Sequence, residues 1–264
     1  MRKIVVTGVL ALTLAACGAP RPRPPPREAG AGASAAVPAT APTRGRAYRV
    51  DAMQSELRVL VYRAGPLGRL GHNHVMVNRS LRGEVDLPQD AAAASFHLIL
   101  PADAFMVDDA EARREEGPDF AGDVPDDAKS GTFRNMLSPA VLDAAEFPEI
   151  AVRSLAVHGQ LALDEQSTTP TGDIRGLHPA ERAPDGTKTM RGQLIVTATF
   201  GVTGHEITRD VPVSLLVYSG GLAGIGELRV RQSELGITPY SLMLGALQVQ
   251  DEITIKFKII AVQS

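Results

Sequence analysis

Residues 253–259, Ile-Thr-Ile-Lys-Phe-Lys-Ile, place Ile253, Ile255, Phe257 and Ile259 on one side of an extended chain and Thr254, Lys256 and Lys258 on the other. Successive side chains of a strand point to opposite faces, so this stretch reads as a strand with one dry and one wet face. The same period of two recurs along the chain. Leu81, Gly83, Val85 and Leu87 alternate with Arg82, Glu84 and Asp86. Leu194, Val196, Ala198 and Phe200 stand opposite Ile195, Thr197 and Thr199. Val211, Val213, Leu215 and Val217 align likewise, as do Leu57, Val59 and Val61, and Leu228 and Val230 alternate with Glu227, Arg229 and Arg231. Clean alternation marks antiparallel strands, and many of them in one domain predict a barrel or sandwich. No βαβ pattern is present. The expected fold is all-β, an antiparallel β-barrel with a short helical insertion.

That insertion is the stretch 128–148, AKSGTFRNMLSPAVLDAAEFP. Its apolar spacing is helical, with Ser138 as N-cap, Pro139 at the first helical position and Pro148 past the end. Two acidic stretches bearing Pro and Gly, about 107–127 and 164–188, read as long loops.

The 264 residues are 44% hydrophobic and 22% charged, ordinary globular content. Aromatics make up only 4% and Trp is absent, so a large pocket must be lined mainly by aliphatic side chains. Charge is uneven. Residues 1–46 hold seven basic residues against the single acid Glu28, a net of +6, which leaves −9 on the rest of a chain whose total is −3. An acidic body argues against nucleic acid as a partner, because binding it needs a basic face that displaces counterions.

The basic start is an address. Arg2-Lys3 precede an apolar run from Ile4 to Ala16, the layout of a secretory signal and too short to span a membrane comfortably. Leu14-Ala15-Ala16-Cys17 resembles the bacterial lipobox, in which cleavage before the Cys (residues 1–16 removed) exposes a thiol that takes diacylglycerol and an amine that is then acylated. Cys17 is the chain's only Cys, so no disulfide can form within it. The expectation is a lipoprotein held in a bacterial envelope through N-terminal acyl chains, facing the periplasm. Gly18, in place of Asp, resembles sorting to the outer membrane. Residues 17–46 form a Pro-rich, then Ala/Gly/Ser-rich tether with nothing to bury, and the barrel domain is expected over 47–264.

Residues 68–77, GRLGHNHVMV, pose a separate question. His72, His74 and Met76 fall at i, i+2 and i+4, so an extended chain points all three the same way, and imidazole with thioether suits copper, imidazole alone zinc. If one strand runs unbroken to Leu87, these three lie on the wet face with Asn78, Arg82, Glu84 and Asp86. A β-bulge near Arg79 would reverse that, since one extra residue flips every later side chain. No further ligands stand nearby, so the three are weak metal candidates.

From Tyr48 to about residue 262 the chain resembles the YceI-like family of bacterial periplasmic lipid-binding proteins. Tyr48, Val50, Asp51 and Ser55 match its opening Y-x-[IV]-D-x-x-H-S, with Gln54 at the usual His. Leu142, Asp143, Phe147, Pro148, Ile150 and Ser154 match a helix leading into [FY]-P-x-I-x-F-x-S, with Val152 for the second Phe. Gly192, Leu194 and Gly201-Val202-Thr203 echo its G-x-L and G-V-T elements. RQSELGI, with Arg231, Glu234, Leu235, Gly236 and Ile237, and the terminal VQDEITI resemble its last two motifs. The resemblance implies a lipocalin-like barrel closed at one end by helical segments around an elongated apolar tunnel. It also implies a long isoprenoid or fatty chain as ligand. The candidate lining residues are Leu98, Leu194, Val196, Phe200, Val213, Leu215, Ile253, Ile255 and Phe257.

Catalysis is not expected. No G-x-S-x-G elbow is present, and in HEITR (205–209) Arg209 stands where H-E-x-x-H needs its second His. GLAGIG (221–226) reads as a Gly-rich turn without the strand–helix context of a nucleotide loop. Three expectations remain: an envelope lipoprotein carrying a lipid or isoprenoid such as a polyprenyl or quinone-type molecule, with no other cofactor; a periplasm-facing copper or zinc lipoprotein; or a scaffold with a filled barrel. The oligomeric state stays open, a dimer included.

Overall fold

Strands of alternating polarity bury their apolar faces most completely by curling around one another, and a closed barrel also pairs every edge. The computed structural model describes residues 45–164 and 189–264. The leader 1–16, Cys17, almost all of the tether and the acidic stretch 165–188 lie outside the described residues.

Among the described residues, eight antiparallel staves follow one another around a barrel in chain order. The first three are each built of two pieces: β1 (Arg46–Val50) with β2 (Glu56–Val61), β3 (His74–Asn78) with β4 (Arg82–Leu87), and β5 (Ser95–Pro101) with β6 (Phe105–Val107). The other five are β7 (Glu149–His158), β8 (Thr189–Val202), β9 (His205–Tyr218), β10 (Gly221–Arg231) and β11 (Glu252–Gln263). β11 closes the barrel on the first stave, pairing Val50 with Ala261 and Leu60 with Thr254.

The breaks in the early staves have local causes. Between β1 and β2 the Asp51 carboxylate accepts hydrogen bonds from the Met53 amide and the Gln54 side chain, which turns the chain outward. Ser55 brings it back: its buried hydroxyl donates to the Ile260 carbonyl and accepts from the Ile260 amide. Between β3 and β4, fully buried Asn78 donates to the Pro101 carbonyl and accepts from the Ser80 amide. In β7 the pairing with β8 skips Leu155, a bulge residue that is 58% exposed.

Each break exchanges inner and outer faces, because strand parity is counted residue by residue. Tyr48 and Val50 belong to the central core, and so do Leu57, Val59 and Val61 after the break. Likewise Met76 faces inward, and after residues 79–81 so do Leu81, Val85 and Leu87.

Three expectations need correction. The stretch 107–127 is not all loop, since it contains α1 (Ala110–Glu115), capped by the Asp109 side chain accepting from the Ala112 amide at 3.0 Å. The longer helix, α2 (Asp126–Leu137), ends at Ser138 instead of starting there. Pro139 disfavours helical backbone at the residue before it, and Ser138 is extended with ψ 162°. Gly221–Gly226 lies within β10 and is not a turn.

α1 makes the barrel's outer wall partly dry. Ala112 and Phe120 pack on Leu60, Val75 and Val77, with Tyr62 edge-on to Phe120 at 5.3 Å. Around this patch Arg58 pairs with Glu115 (2.6 Å) and Glu116 (3.2 Å), and Lys256 pairs with Glu116. Lys256, placed on a wet face by alternation, is therefore buried.

Candidate ligand-binding lumen

The inward side chains do not fill the barrel. Among the described residues, two abutting cavities lie within it, an outer chamber of about 250 Å³ and an inner one of about 140 Å³. Both are walled by Leu57, Leu100, Val152, Phe200, Leu228 and Ile255, which form a waist between them. The inner chamber is almost wholly aliphatic and aromatic. Together the two fall in the lower part of the roughly 300–1,000 Å³ typical of ligand pockets.

All nine residues proposed from the sequence lie on these walls. Leu98, Leu194, Val196, Val213, Leu215 and Phe257 line the inner chamber, Ile253 lines the outer, and Phe200 and Ile255 sit at the waist. β10 makes room for the Phe257 ring with a glycine. A Cβ on Gly226 would fall against that ring and 2.6 Å from the Pro212 carbonyl oxygen. Gly226 of GLAGIG thus serves close packing of one strand against its neighbours.

Alternation could not find the outer chamber's far wall. Met136 of α2 and Leu142 from the turn after it lie across this end, with Leu235, Ile237 and Val249 from the segments between β10 and β11. Polar groups gather here: His74, Thr132, Asn135, Gln232 and Tyr240. Asn135 and Tyr240 are also solvent-exposed, so the outer chamber reaches the surface between α2 and the segment around residue 240.

His74 and Met76 line the outer chamber instead of facing water, a correction to the unbroken-strand reading. The interruption at 79–81 is the cause, acting as a bulge near Arg79 would, while Val75 and Val77 face outward beneath α1. His74 Nδ1 lies 2.6 Å from Asp108 Oδ2. Asp108 is buried and also accepts from the Val75 amide (3.0 Å) and from Arg113 Nη1 (2.6 Å). Arg113 is itself tied to the Asn73 and Gly122 carbonyls. Burial pushes the Asp108 carboxyl up, but the hydrogen bond and charge of His74, the Val75 amide and Arg113 together hold it below the usual carboxylate range. A carboxylate can only accept, so His74 Nδ1 donates to Asp108 in this contact. His72 does not line the lumen; its ring stands 6.2 Å from that of His74. Among the described residues no group of three or more His, Cys, Asp or Glu is placed to hold a metal ion.

No family model matches the sequence, and no curated protein matches it. The fold does match a solved structure, Burkholderia cenocepacia BcnA, at TM-score 0.50 and 17% identity over 81% of this chain and 99% of that one. Fainter likenesses are to a polyisoprenoid binding domain from Saccharophagus degradans implicated in plant cell wall breakdown (TM-score 0.49, 10% identity, 83% of this chain and 99% of that one) and to the Campylobacter jejuni YCEI protein (TM-score 0.40, 8% identity, 72% and 84%). The architecture is thus a lipocalin-like antiparallel barrel, the fold that the sequence motifs imply, and it is similar to that of BcnA. At this identity the likeness establishes the fold and says nothing of cargo.

Proposed function

We propose that the protein is an envelope lipoprotein that holds one long-chain lipid or isoprenoid in its lumen, for carriage or storage. The observation that carries this reading is the lumen itself, an apolar, waisted channel whose polar side chains, Ser95 of the inner chamber apart, gather at the end lined by His74, Gln232 and Tyr240. Burying a slim apolar chain there releases water at about 25 cal/mol per Å² of apolar surface and needs no reactive residue. A polar end group would come to rest beside His74, Gln232 and Tyr240, which favours a chain with one hydroxyl or carbonyl terminus over a bare hydrocarbon. The resemblance of residues 48–262 to YceI-like proteins supports the same cargo class. The lipobox supports an anchor at Cys17, with the body facing the periplasm and the acyl chains in the outer membrane.

Organic extraction of the purified protein followed by mass spectrometry should recover a chain lipid in near-equal amount. Val196→Trp or Leu215→Trp should then block the inner chamber while the fold survives, because the cavity accepts the added volume. If the chambers instead collapse in solution, the same substitutions overpack the core and cost about 1–3 kcal/mol. An extract without lipid, together with a wild type whose melting temperature no chain lipid raises, would falsify the carrier reading. Cys17→Ser should leave the protein unacylated, either soluble or retained as a precursor that keeps residues 1–16; a variant still carrying diacylglycerol would overturn the lipobox reading.

A further inference from the structure

The surface beside the lumen's opening is built unlike the rest of the barrel. Two segments, 62–72 and 238–250, are stitched into a small three-stranded sheet by Arg63–Ala64, Ser241–Leu242 and Leu247–Val249. Apolar side chains project from it into solvent: Met243 is 74% exposed and Leu244 fully so, with Leu242 beside them and Leu70 on the adjoining segment. Met243 and Leu244 hold left-handed backbone, φ 50° and 56°. Bulky residues rarely adopt that region, and only under strain. Among the described residues, no packing accounts for displaying them this way.

The charges point to one kind of partner. Residues 62–72 and 238–250 contain no Asp, Glu or Lys, and their only full charges are Arg63 and Arg69, in a domain that is otherwise acidic. Arg63 is committed to the Arg69 and Gly71 carbonyls, while the exposed Arg69 side chain is in none of the ion pairs of the described residues. An apolar tip flanked by arginines and free of acids is the composition that inserts shallowly into a bilayer carrying anionic lipid. The tip is also continuous with the lumen, because Tyr240 and Val249, at either end of the exposed turn, both line the outer chamber.

We propose that residues 240–249, with Leu70 and Arg69 alongside, form a membrane-contact tip that seats the open end of the barrel on an anionic lipid surface. Seated so, a chain would pass between bilayer and lumen with little exposure to water. The tip goes beyond the carrier reading, and its docking does not depend on what the lumen holds.

The absence of Trp from the chain supplies a clean probe. Leu244→Trp is made in the full chain together with Cys17→Ser, so that no acyl anchor brings the tip to the vesicle. On vesicles of equal phosphatidylglycerol and phosphatidylcholine, its emission should shift to the blue and be quenched by lipids brominated in the acyl chains. Leu155→Trp, at the exposed bulge of β7 outside the tip, should report neither change. Met243→Asp with Leu244→Asp should weaken vesicle partitioning about tenfold or more, from the lost burial of two apolar side chains. Arg69→Glu should weaken it on anionic vesicles and leave pure phosphatidylcholine little affected. An emission maximum at residue 244 that vesicles do not move overturns the proposal. So does a blue shift that grows with protein concentration in the absence of lipid, which would mean that a second copy covers the tip. Lipid extraction from the lumen is unaffected by either result, so the two readings fail separately.

Discussion

The barrel has two unlike halves. Its later staves, β8 to β11, are long and continuous, and their inner faces follow strict alternation from end to end. Its first four staves are each broken by a turn or a bulge, and each break exchanges the face that looks inward. The continuous half is held by side-chain packing across a narrow lumen. The broken half is held by polar clamps at its breaks: Ser55 on Ile260, Asn78 on Pro101, and Asp108 joining His74 to Arg113. The open end of the lumen draws on that broken half, through His74, Met76 and α2, because breaks are where a regular wall can be re-aimed.

If the clamps carry the broken half, Asp108→Ala should be the most damaging of these changes. It leaves Arg113 buried beside no carboxylate, a situation that typically costs about 3–5 kcal/mol, readable as a drop in denaturant midpoint. The isosteric Asp108→Asn adds a sign test. The native carboxyl sits below its ordinary value, so its stabilising effect is present above the unfolded pKa of about 3.9 and fades as pH falls through the native one. The stability gap between wild type and Asp108→Asn should therefore be widest at neutral pH and shrink below about pH 4. A gap that widens in acid would mean that the carboxylate is not the stabilising form.

In the continuous half the corresponding probe is steric. Gly226→Val should cost about 1–3 kcal/mol or more by driving a side chain into Phe257 and the Pro212 carbonyl. Adding Phe257→Leu should return part of that loss and enlarge the inner chamber, which a longer or bulkier bound lipid would report. Ser55→Ala should cost about 1–3 kcal/mol, because the buried Ile260 amide loses its acceptor. Smallest of all should be Leu155→Thr, within about 0.5 kcal/mol, since the bulge turns that leucine out to solvent. A large loss there would mean that β7 alternates without a bulge, and the contrast between the halves would then be weaker than drawn.

The contrast also explains what could be read without coordinates. Alternation named the inward residues of β8, β9 and β11, and every lining candidate drawn from it lies on a chamber wall. The same rule misplaced His74, Met76 and Lys256. For the first two, the 79–81 interruption changes parity. For the third, α1 covers a face that alternation assigns to water. Ser138 misled for a related reason: serine before proline is chemically apt both to begin a helix and to end one, and only the preceding residues' packing through Met136 selects the second.

The amino-acid sequence alone therefore determined the class of fold, the antiparallel pairing and the dry face of each regular strand, because the two-residue period follows from the geometry of each extended chain by itself. Whether those dry faces meet in a filled core or enclose a lumen it left open. It also carries the lipobox-like stretch Leu14–Cys17, on which the proposed anchor rests, and the absence of acids beside residues 240–249, which are matters of composition. Tertiary structure decided which face looks inward after each break, which outer faces lie dry beneath α1, and where the lumen opens. Those depend on contacts between residues far apart in the chain, such as Ser55 with Ile260, Asp108 with His74 and α2 with the barrel's end, and no local period encodes them.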